Sequence, residues 1–185
     1  TKLKDYKRAL NIGCLYQNPL RGTAPNLTIE ENLALAYTRK ASPSFFALNK
    51  KDSAYFREVL STLGMGLEDR MKTKIGLLSG GQRQAASLLM ATIAEPELLL
   101  LDEHTAALDP GAAEKVMALT KKIVEENKIT TLMITHDMEY ALEYGSRTIM
   151  LDSGKIVMDL TGKEREEMTT GKLAELFYGK AHKKG

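Results

Sequence analysis

The segment LLLLDEHTAALDP, from Leu98 to Pro110, is the most informative part of the sequence for the fold. It opens with four consecutive leucines, which follow Glu95-Pro96-Glu97 and precede Asp102. An apolar run this short is compatible with a buried piece of helix or with a strand covered on both faces. Because the run is brief, follows a proline and ends at acidic residues, we expect a strand at Leu98–Leu101 that is buried on both faces.

The residues after this strand predict a helix and then a second strand. Asp109 followed by Pro110 is typical of a helix start, with the aspartate as N-cap and the proline in the first turn. Small or apolar residues then recur at helical spacing, at Ala113, Val116, Met117, Thr120, Ile123 and Val124. The β-branched stretch TTLMIT, from Thr130 to Thr135, predicts the second strand. A strand, a helix and a strand in this order indicate a parallel sheet of the α/β class.

The flanking segments differ in character. Toward the N-terminus, three segments that favour helix are separated by Pro, Gly and Ser, and they predict an inserted helical subdomain: Ile29–Tyr37, Lys51–Leu63 and Ser79–Ala94. Toward the C-terminus we expect a short helix, two strands around the Asp152-Ser153-Gly154 turn and a tail helix: Met138–Tyr144, Arg147–Leu151, Lys155–Leu160 and Thr169–Tyr178. The last residues, 181–185, predict a basic, frayed end.

The composition is that of an ordinary globular protein. The 185 residues are 43% hydrophobic and 27% charged. The formal net charge of +2 gives no reason to expect a nucleic-acid partner. A single cysteine, Cys14, suits a reducing compartment, and no apolar run is long enough to span a membrane. We therefore expect a cytoplasmic chain.

A glycine corner, LLSGGQRQ from Leu77 to Gln84, introduces the third of the N-terminal helical segments. Ser79 can cap the helix, and Gln82 stands three residues later, at the spacing of a capping box. Capping alone does not require Gly80 and Gly81 in tandem. Glycines at a helix N-terminus also let backbone N–H groups approach an anion. The corner therefore indicates either a well-capped helix start or a phosphate site, and these eight residues alone do not separate the two.

Polar residues follow both predicted strands. Asp102 and Glu103, which we name the acidic strand end, lie where α/β sheets bind their ligands. An aspartate there can hold Mg²⁺, and the adjacent glutamate can orient or deprotonate a water. His136 follows the second strand and would lie beside this pair if the strands are neighbours. A solvated acidic strand end and a surface histidine are the simpler alternatives.

Together these segments resemble the nucleotide-binding subunit of ATP-binding-cassette (ABC) proteins. Five motifs carry the resemblance, in the family's order: LYQNP around Gln17 (Q-loop), LSGGQRQ (signature), LLLLDE (Walker B strand and catalytic glutamate), AALD (D-loop) and ITHD (switch-histidine loop). The resemblance implies a P-loop NTPase fold of the ABC ATPase type, in which a partial α/β core with a largely parallel sheet carries an inserted α-helical signature subdomain. It implies four segments: 1–18, the core remnant ending in the Q-loop; 19–94, the signature subdomain; 95–162, the nucleotide core; and 163–185, a C-terminal helix and basic tail.

The resemblance also implies a role for each matching residue around the acidic strand end. Asp102 and Gln17 would hold Mg²⁺, and Gln17 would also bind the nucleotide. Glu103 would be the general base that activates the hydrolytic water. His136 would contact the γ-phosphate of ATP.

For the glycine corner the resemblance implies a role across a dimer. Ser79, Gly80, Gly81 and Gln82 would bind the γ-phosphate of an ATP held mainly by a second copy of the subunit. Asp109 would cross the same interface. ATP would then hold two nucleotide-binding subunits together until hydrolysis releases them.

The family's phosphate-binding P-loop, G-x-x-x-x-G-K-[ST], has no match. Gly-Lys occurs four times, each time in the wrong context, and only sixteen residues precede Gln17. We therefore expect the chain to be the C-terminal portion of a longer subunit, which alone binds ATP poorly, exposes apolar sheet edges and self-associates. The alternative is a natural regulatory protein without a P-loop.

The motif spacing favours a transport ATPase. Only 61 residues separate Gln17 from Ser79, too few for the coiled coil of DNA-repair ABC ATPases. The resemblance implies the ATP-hydrolysing subunit of a bacterial importer of amino-acid-like solutes, at the inner face of the cell membrane. An integral membrane permease would dock on residues 20–63. The pairs Phe45-Phe46 and Tyr55-Phe56 in this region could form core or contact surface, and we expect the core. A soluble ABC ATPase of a non-transport assembly and a non-catalytic interaction fragment stay open as alternatives.

Overall fold

A computed structural model describes residues 2–40 and 50–181 of the chain. Its contacts divide the chain into two units, Thr1–Ile134 and Thr135–Gly185. The four sequence segments stated above stay a prediction.

The first unit is an α/β arrangement around a parallel sheet. Its described α-helices and strands are, in chain order, α1 (Asp5–Ala9), β1 (Ile12–Leu15), α2 (Ile29–Tyr37), α3 (Lys50–Ser61), α4 (Gly80–Thr92), β2 (Leu98–Asp102), α5 (Pro110–Glu126) and β3 (Thr130–Ile134). The strands lie in the order β1-β2-β3, and both pairs are parallel. The predicted α/β class, parallel sheet and N-terminal helices are therefore confirmed, with shifts of one or two residues at the ends.

Strand β1 is not visible in the sequence pattern. It is only four residues long and contains Gly13, so it offers too few alternating positions to identify. The glycine has a packing reason: a Cβ built there would lie 2.5 Å from the backbone oxygen of Ala91 in α4. Glycine thus allows α4 to pack directly on β1.

The two faces of the sheet differ in burial. Leu99 and Leu101 are 0% and 2% exposed, and they share a core cluster with residues of α4 and α5. Leu98 and Leu100 on the other face are only half-buried. Leu132, which pairs in register with Leu100, is 56% exposed. The expectation that β2 is buried on both faces is therefore wrong for one face, because the helices of this core cluster pack on the Leu99 side.

The helical region has its own apolar packing. Phe56 of α3 is fully buried, while the neighbouring Tyr55 is 37% exposed and lies with its ring centroid 5.4 Å from that of Tyr37. The core expectation thus holds for Phe56 and only partly for Tyr55. The pair Phe45-Phe46 lies outside the described residues.

Buried polar groups tie the helical region together. The Asn32 side chain accepts a hydrogen bond from the Ala24 N–H at 2.8 Å and donates to the Ala24 carbonyl at 3.1 Å, which holds the loop before α2. The buried carboxylate of Glu30 accepts hydrogen bonds from Ser53 and Lys72. Burial alone would raise the pKa of Glu30, but the bonds from Lys72 and Ser53 leave it below its ordinary value.

The second unit contains an antiparallel strand pair and helices. Its described elements are α6 (Met138–Glu143), β4 (Arg147–Asp152), β5 (Lys155–Thr161), α7 (Gly162–Glu166) and α8 (Thr170–Ala181). Ser153 and Gly154 both have positive φ, 50° and 76°, which suits the tight turn of a hairpin. The predicted hairpin and tail helix are confirmed. The tail helix extends to Ala181, the first residue of the predicted frayed end, and residues 182–185 lie outside the described part. Over the described residues, no helix combines the length and apolar character needed to cross a bilayer.

Candidate functional site

The acidic strand end lies at the carboxyl end of the middle strand of the sheet. Asp102 is the last residue of β2, and its side chain is exposed. Glu103 follows with a φ of +43°, a conformation that non-glycine residues adopt only at a cost. Its N–H donates to the Ile134 carbonyl at the end of β3, 3.0 Å away. The chain therefore turns sharply at the catalytic candidate instead of continuing the strand.

Gln17 meets this strand end from the neighbouring strand. Leu15 and Leu101 are partners in the β1–β2 register, so Gln17 and Glu103 each stand two residues beyond a paired position. The Gln17 Nε2 group donates to Glu103 Oε2 at 3.3 Å. The structure thus brings together two residues that are 86 positions apart in the sequence.

His104, beside the acidic strand end, is a buried residue that the motif reading did not single out. It is 2% exposed, and its Nε2 lies 3.3 Å from Thr120 Oγ1 in α5. The Thr120 hydroxyl donates its proton to the Val116 carbonyl at 2.7 Å, so it accepts from an Nε2–H of His104. Burial lowers the pKa of His104 to about 4, which keeps the ring neutral at pH 7. No local sequence pattern marks this histidine, because its burial depends on the packing of α5.

The glycine corner is a capped helix start. The Ser79 side chain accepts from the Gln82 N–H at 3.3 Å, and Gln82 Oε1 accepts from the Ser79 N–H at 3.4 Å. This is the predicted capping box. The Gln82 side chain also donates to the Met65 carbonyl at 3.3 Å. The corner is therefore ordered by contacts within the chain.

Both glycines of the corner have a packing reason that the sequence does not reveal. A Cβ at Gly80 would lie 3.2 Å from Leu108 Cδ2, and a Cβ at Gly81 would lie 3.0 Å from the Cβ of Ala112. The start of α4 therefore lies against the start of α5. The close contact with this region favours a small residue at Gly81 and, less strongly, at Gly80, whether or not an anion binds.

Arg83 holds the segment that precedes the glycine corner, a role that the sequence pattern does not predict. Its guanidinium donates to the carbonyl oxygens of Ile75, Gly76 and Leu78, at 3.3, 2.9 and 2.8 Å. A charged donor with three backbone acceptors is a strong arrangement. Arg83 thus sets the path of the chain into Ser79.

Asp109 caps α5, as predicted. Its Oδ1 accepts from the Ala112 N–H at 3.0 Å, and the residue is exposed. Because Ala112 also contacts Gly81, Asp109 is a near neighbour of the glycine corner of its own chain.

His136 belongs to the second unit and is exposed. It follows β3 by two residues along the chain. The next residue, Asp137, caps α6 by accepting from the Glu139 and Tyr140 N–H groups at 2.8 and 3.0 Å. The expected role of His136 at the γ-phosphate stays a prediction.

The donor set suits a metal that arrives with a phosphate ligand. Within residues 2–40 and 50–181, no group of three or more His, Cys, Asp or Glu side chains could hold a metal ion. Asp102 offers one exposed carboxylate, and Gln17 lies at the same end of the sheet. Mg²⁺ binds in this way, with one or two protein ligands, retained waters and phosphate oxygens. The residues therefore fit Mg²⁺ carried by a nucleotide.

Comparison with known proteins gives a consistent picture. The family described as "ABC transporter" matches residues 2–106. A tyrosine transport ATP-binding protein of Clostridioides difficile (strain R20291) is 42% identical over 177 residues, 96% of this chain and 70% of the relative. A phosphonates import ATP-binding protein of Oceanobacillus iheyensis is 35% identical over 152 residues, 80% of this chain and 58% of that relative. The chain thus spans only part of each relative.

A solved structure gives the same fold. It is a dimeric post-hydrolysis state of an ATP-binding cassette, MJ0796, bound to ADP and Pi, with 30% identity and a TM-score of 0.70. The match covers 86% of this chain and 68% of that one. The α/β core with its helical region is therefore the P-loop NTPase fold of the ABC ATPases.

Proposed function

The chain belongs to the ABC transporter family, and from this premise we propose that it supplies the catalytic strand end and the signature corner of an ATP-hydrolysing transport subunit. The observation that carries the proposal is the contact of the Gln17 amide with the Glu103 carboxylate beside Asp102. This hydrogen bond joins the Q-loop to the Walker B strand at the carboxyl end of the parallel sheet, which is where α/β proteins bind their ligands.

The residues at the strand end divide the chemistry between them. Asp102 and Gln17 would hold Mg²⁺, and the ion would neutralise phosphate charge. Glu103 accepts a proton from the attacking water, and Gln17 orients its carboxylate. His136 contacts the γ-phosphate. The exposure of Asp102 supports this assignment, because the carboxylate is accessible to an incoming nucleotide.

The glycine corner acts on the nucleotide of a second copy. Gly80 and Gly81 lie in the first turn of the 13-residue helix α4, where backbone N–H groups have no partner within the helix. Ser79 and Gly80 are exposed, so the Gly80 N–H group can reach a phosphate from outside the chain, whereas Gly81, the next residue, is buried. Asp109, exposed beside the corner, contacts the same second copy. The dimeric state of the related cassette bound to ADP and Pi supports this arrangement.

The first unit also offers a docking place for a membrane permease. A cavity of about 430 Å³ lies between the segment after β1 and helices α2 and α4, and Ile12, Leu35 and Met90 form part of its apolar lining. Arg39 lines it as well, and among the described residues its Nε and Nη2 atoms are buried without a hydrogen-bond partner. A permease side chain bearing a carboxylate would satisfy this guanidinium. We assign amino-acid-like solutes and the cytoplasmic face of the membrane, in line with the tyrosine transport relative.

ATP-dependent pairing tests the proposal. In the product of the whole reading frame, which we call the complete subunit, Glu103→Gln should keep the binding groups and remove the proposed base. With ATP and Mg²⁺ this variant should form a dimer by light scattering, and with ADP it should stay monomeric. A variant that binds ATP and stays monomeric would refute the shared site. Co-purification of the wild-type subunit with an integral membrane protein tests the transport role, and its absence would favour a soluble assembly.

A further inference from the structure

Gln84, at the end of the glycine corner, is an amide buried where an apolar side chain would be expected. It is 0% exposed, and its neighbours on α4, including Ala85 and Leu88, belong to the apolar core. Among the described residues no group hydrogen-bonds to its Oε1 atom. A buried, half-satisfied amide costs free energy relative to an apolar residue of the same size. Its presence therefore calls for a specific contact.

That contact reaches the segment before Gln17. Gln84 Nε2 donates to the Tyr16 carbonyl at 3.2 Å. Tyr16 lies one residue beyond the last paired position of β1, so this carbonyl marks the point where the chain leaves the sheet. The next residue is Gln17, whose amide holds Glu103.

A second contact defines the alignment of α4 with β1. At one end of β1, Gly13 packs closely against the Ala91 backbone. At the other end, the Tyr16 carbonyl accepts the hydrogen bond from Gln84. Three strand residues span about 10 Å. Seven helix residues span about 10 Å as well. The two contacts therefore match in spacing, and together they fix α4 along the strand.

We propose that Gln84 is a positioning residue that ties the signature helix to the Q-loop backbone and thereby places the Gln17 amide on Glu103. The functional part of this inference rests on the proposed ATPase, whereas the geometric part does not. The hydrogen-bonded path runs from Gln84 to Tyr16, then along the chain to Gln17 and across to Glu103. A displacement of α4 is thus transmitted to the side chain that orients the general base.

Nuclear magnetic resonance on this chain tests the geometry without nucleotide. In the wild type we expect cross-relaxation between the Gln84 side-chain amide protons and protons of Tyr16. Gln84→Met removes the donor at similar volume, and it should shift the Tyr16 carbonyl and the Gln17 side-chain amide while leaving the Ser79–Gln82 backbone amides in place. The matched control is Thr92→Val, which removes a buried hydroxyl of α4 that donates only within the helix, to the Leu88 and Leu89 carbonyls.

The outcomes separate the possibilities. Missing cross-relaxation in the wild type overturns the proposal even if Gln84→Met fails to fold. Unchanged Tyr16 and Gln17 signals in folded Gln84→Met overturn it too, as does an equal shift in Thr92→Val. In the complete subunit, Gln84→Met should lower kcat for ATP hydrolysis about tenfold with KM for ATP within about twofold, because a misplaced base affects chemistry more than binding. A wild type without ATPase activity would refute the proposed function and leave the resonance result to stand by itself.

Discussion

The glycine corner and the acidic strand end lie in the same unit, yet the chain holds them differently. In the corner, Ser79 and Gln82 cap each other, and Arg83 donates to three backbone carbonyls. At the strand end the Asp102 side chain is exposed, and the Gln17 amide reaches Glu103 from the neighbouring strand. Under the proposed function, the corner would be a preformed binding surface and the strand end an open catalytic end, as suits a site that is completed only when nucleotide and a second copy arrive.

The largest expected effect separates catalysis from stability. Glu103→Gln in the complete subunit should lower the rate of ATP hydrolysis about a thousandfold, because it removes the proposed general base. The free energy of unfolding should change by less than about 0.5 kcal/mol, since the side chain is only half-buried. Steady-state hydrolysis and urea denaturation measure the two quantities. A large loss of stability would mean that Glu103 is a structural residue.

The next largest effect is the pH dependence of stability that comes from His104, the buried residue next to the acidic strand end. Burial holds the pKa of His104 at about 4, against 6.5 in an unfolded chain. The unfolded chain therefore takes up the proton first as the pH falls. The contribution of the neutral His104 ring to the free energy of unfolding is fully present above pH 6.5. It declines as the pH falls from 6.5 to about 4. Between pH 7 and pH 5 the loss is about 2 kcal/mol.

Urea denaturation at the two pH values measures this dependence. His104→Gln keeps a polar side chain that does not titrate, so the difference in unfolding free energy between pH 7 and pH 5 should shrink by that amount. An unchanged difference would show that the ring is accessible to protons in the folded state.

A smaller effect probes the packing of the corner. Gly81→Ala should lower the free energy of unfolding by at most about 1 kcal/mol, because the close approach of its Cβ to that of Ala112 is offset in part by the higher helix propensity of alanine. Ala112→Gly alone costs about 1 kcal/mol of helix propensity. Combined, the two should cost about 1 kcal/mol less than their sum, since the second substitution makes room for the first. Strict additivity would place Gly81 out of contact with α5.

The smallest effect comes from the caps. Ser79→Ala and Asp109→Ala should each lower the free energy of unfolding by about 0.5–1 kcal/mol, through loss of one side-chain acceptor at a helix start. Thermal or urea denaturation provides the comparison. A Ser79 value near zero would mean that the contacts of Arg83 alone hold the corner.

What the sequence predicts and what it misses follow a physical division. The capping box at Ser79 and the N-cap at Asp109 are contacts over three residues, so the sequence contains both partners in one window. Helix α5 has clear helical periodicity, and strand β2 is marked by a short apolar run between Pro96 and Asp102. These features were predictable from local residue order.

The missed features depend on contacts between distant segments. Strand β1 is too short for a periodic signal, and the burial of His104 requires Thr120 on α5. Gly81 is explained by its packing against Ala112. The buried amide of Gln84 is explained by its hydrogen bond to Tyr16, 68 residues away in the sequence. The motif resemblance locates the candidate residues, but it does not show which contacts hold them in place.

Mixing two inactive variants of the complete subunit tests most directly whether corner and strand end work across copies. Glu103→Gln removes the base, and Ser79→Arg blocks the corner. If each site combines the strand end of one copy with the corner of the other, a mixed dimer contains one intact site. Random pairing should then restore roughly a quarter of the wild-type ATPase rate. No recovery, in a mixture shown to form mixed dimers, would mean that each copy builds its site from its own corner.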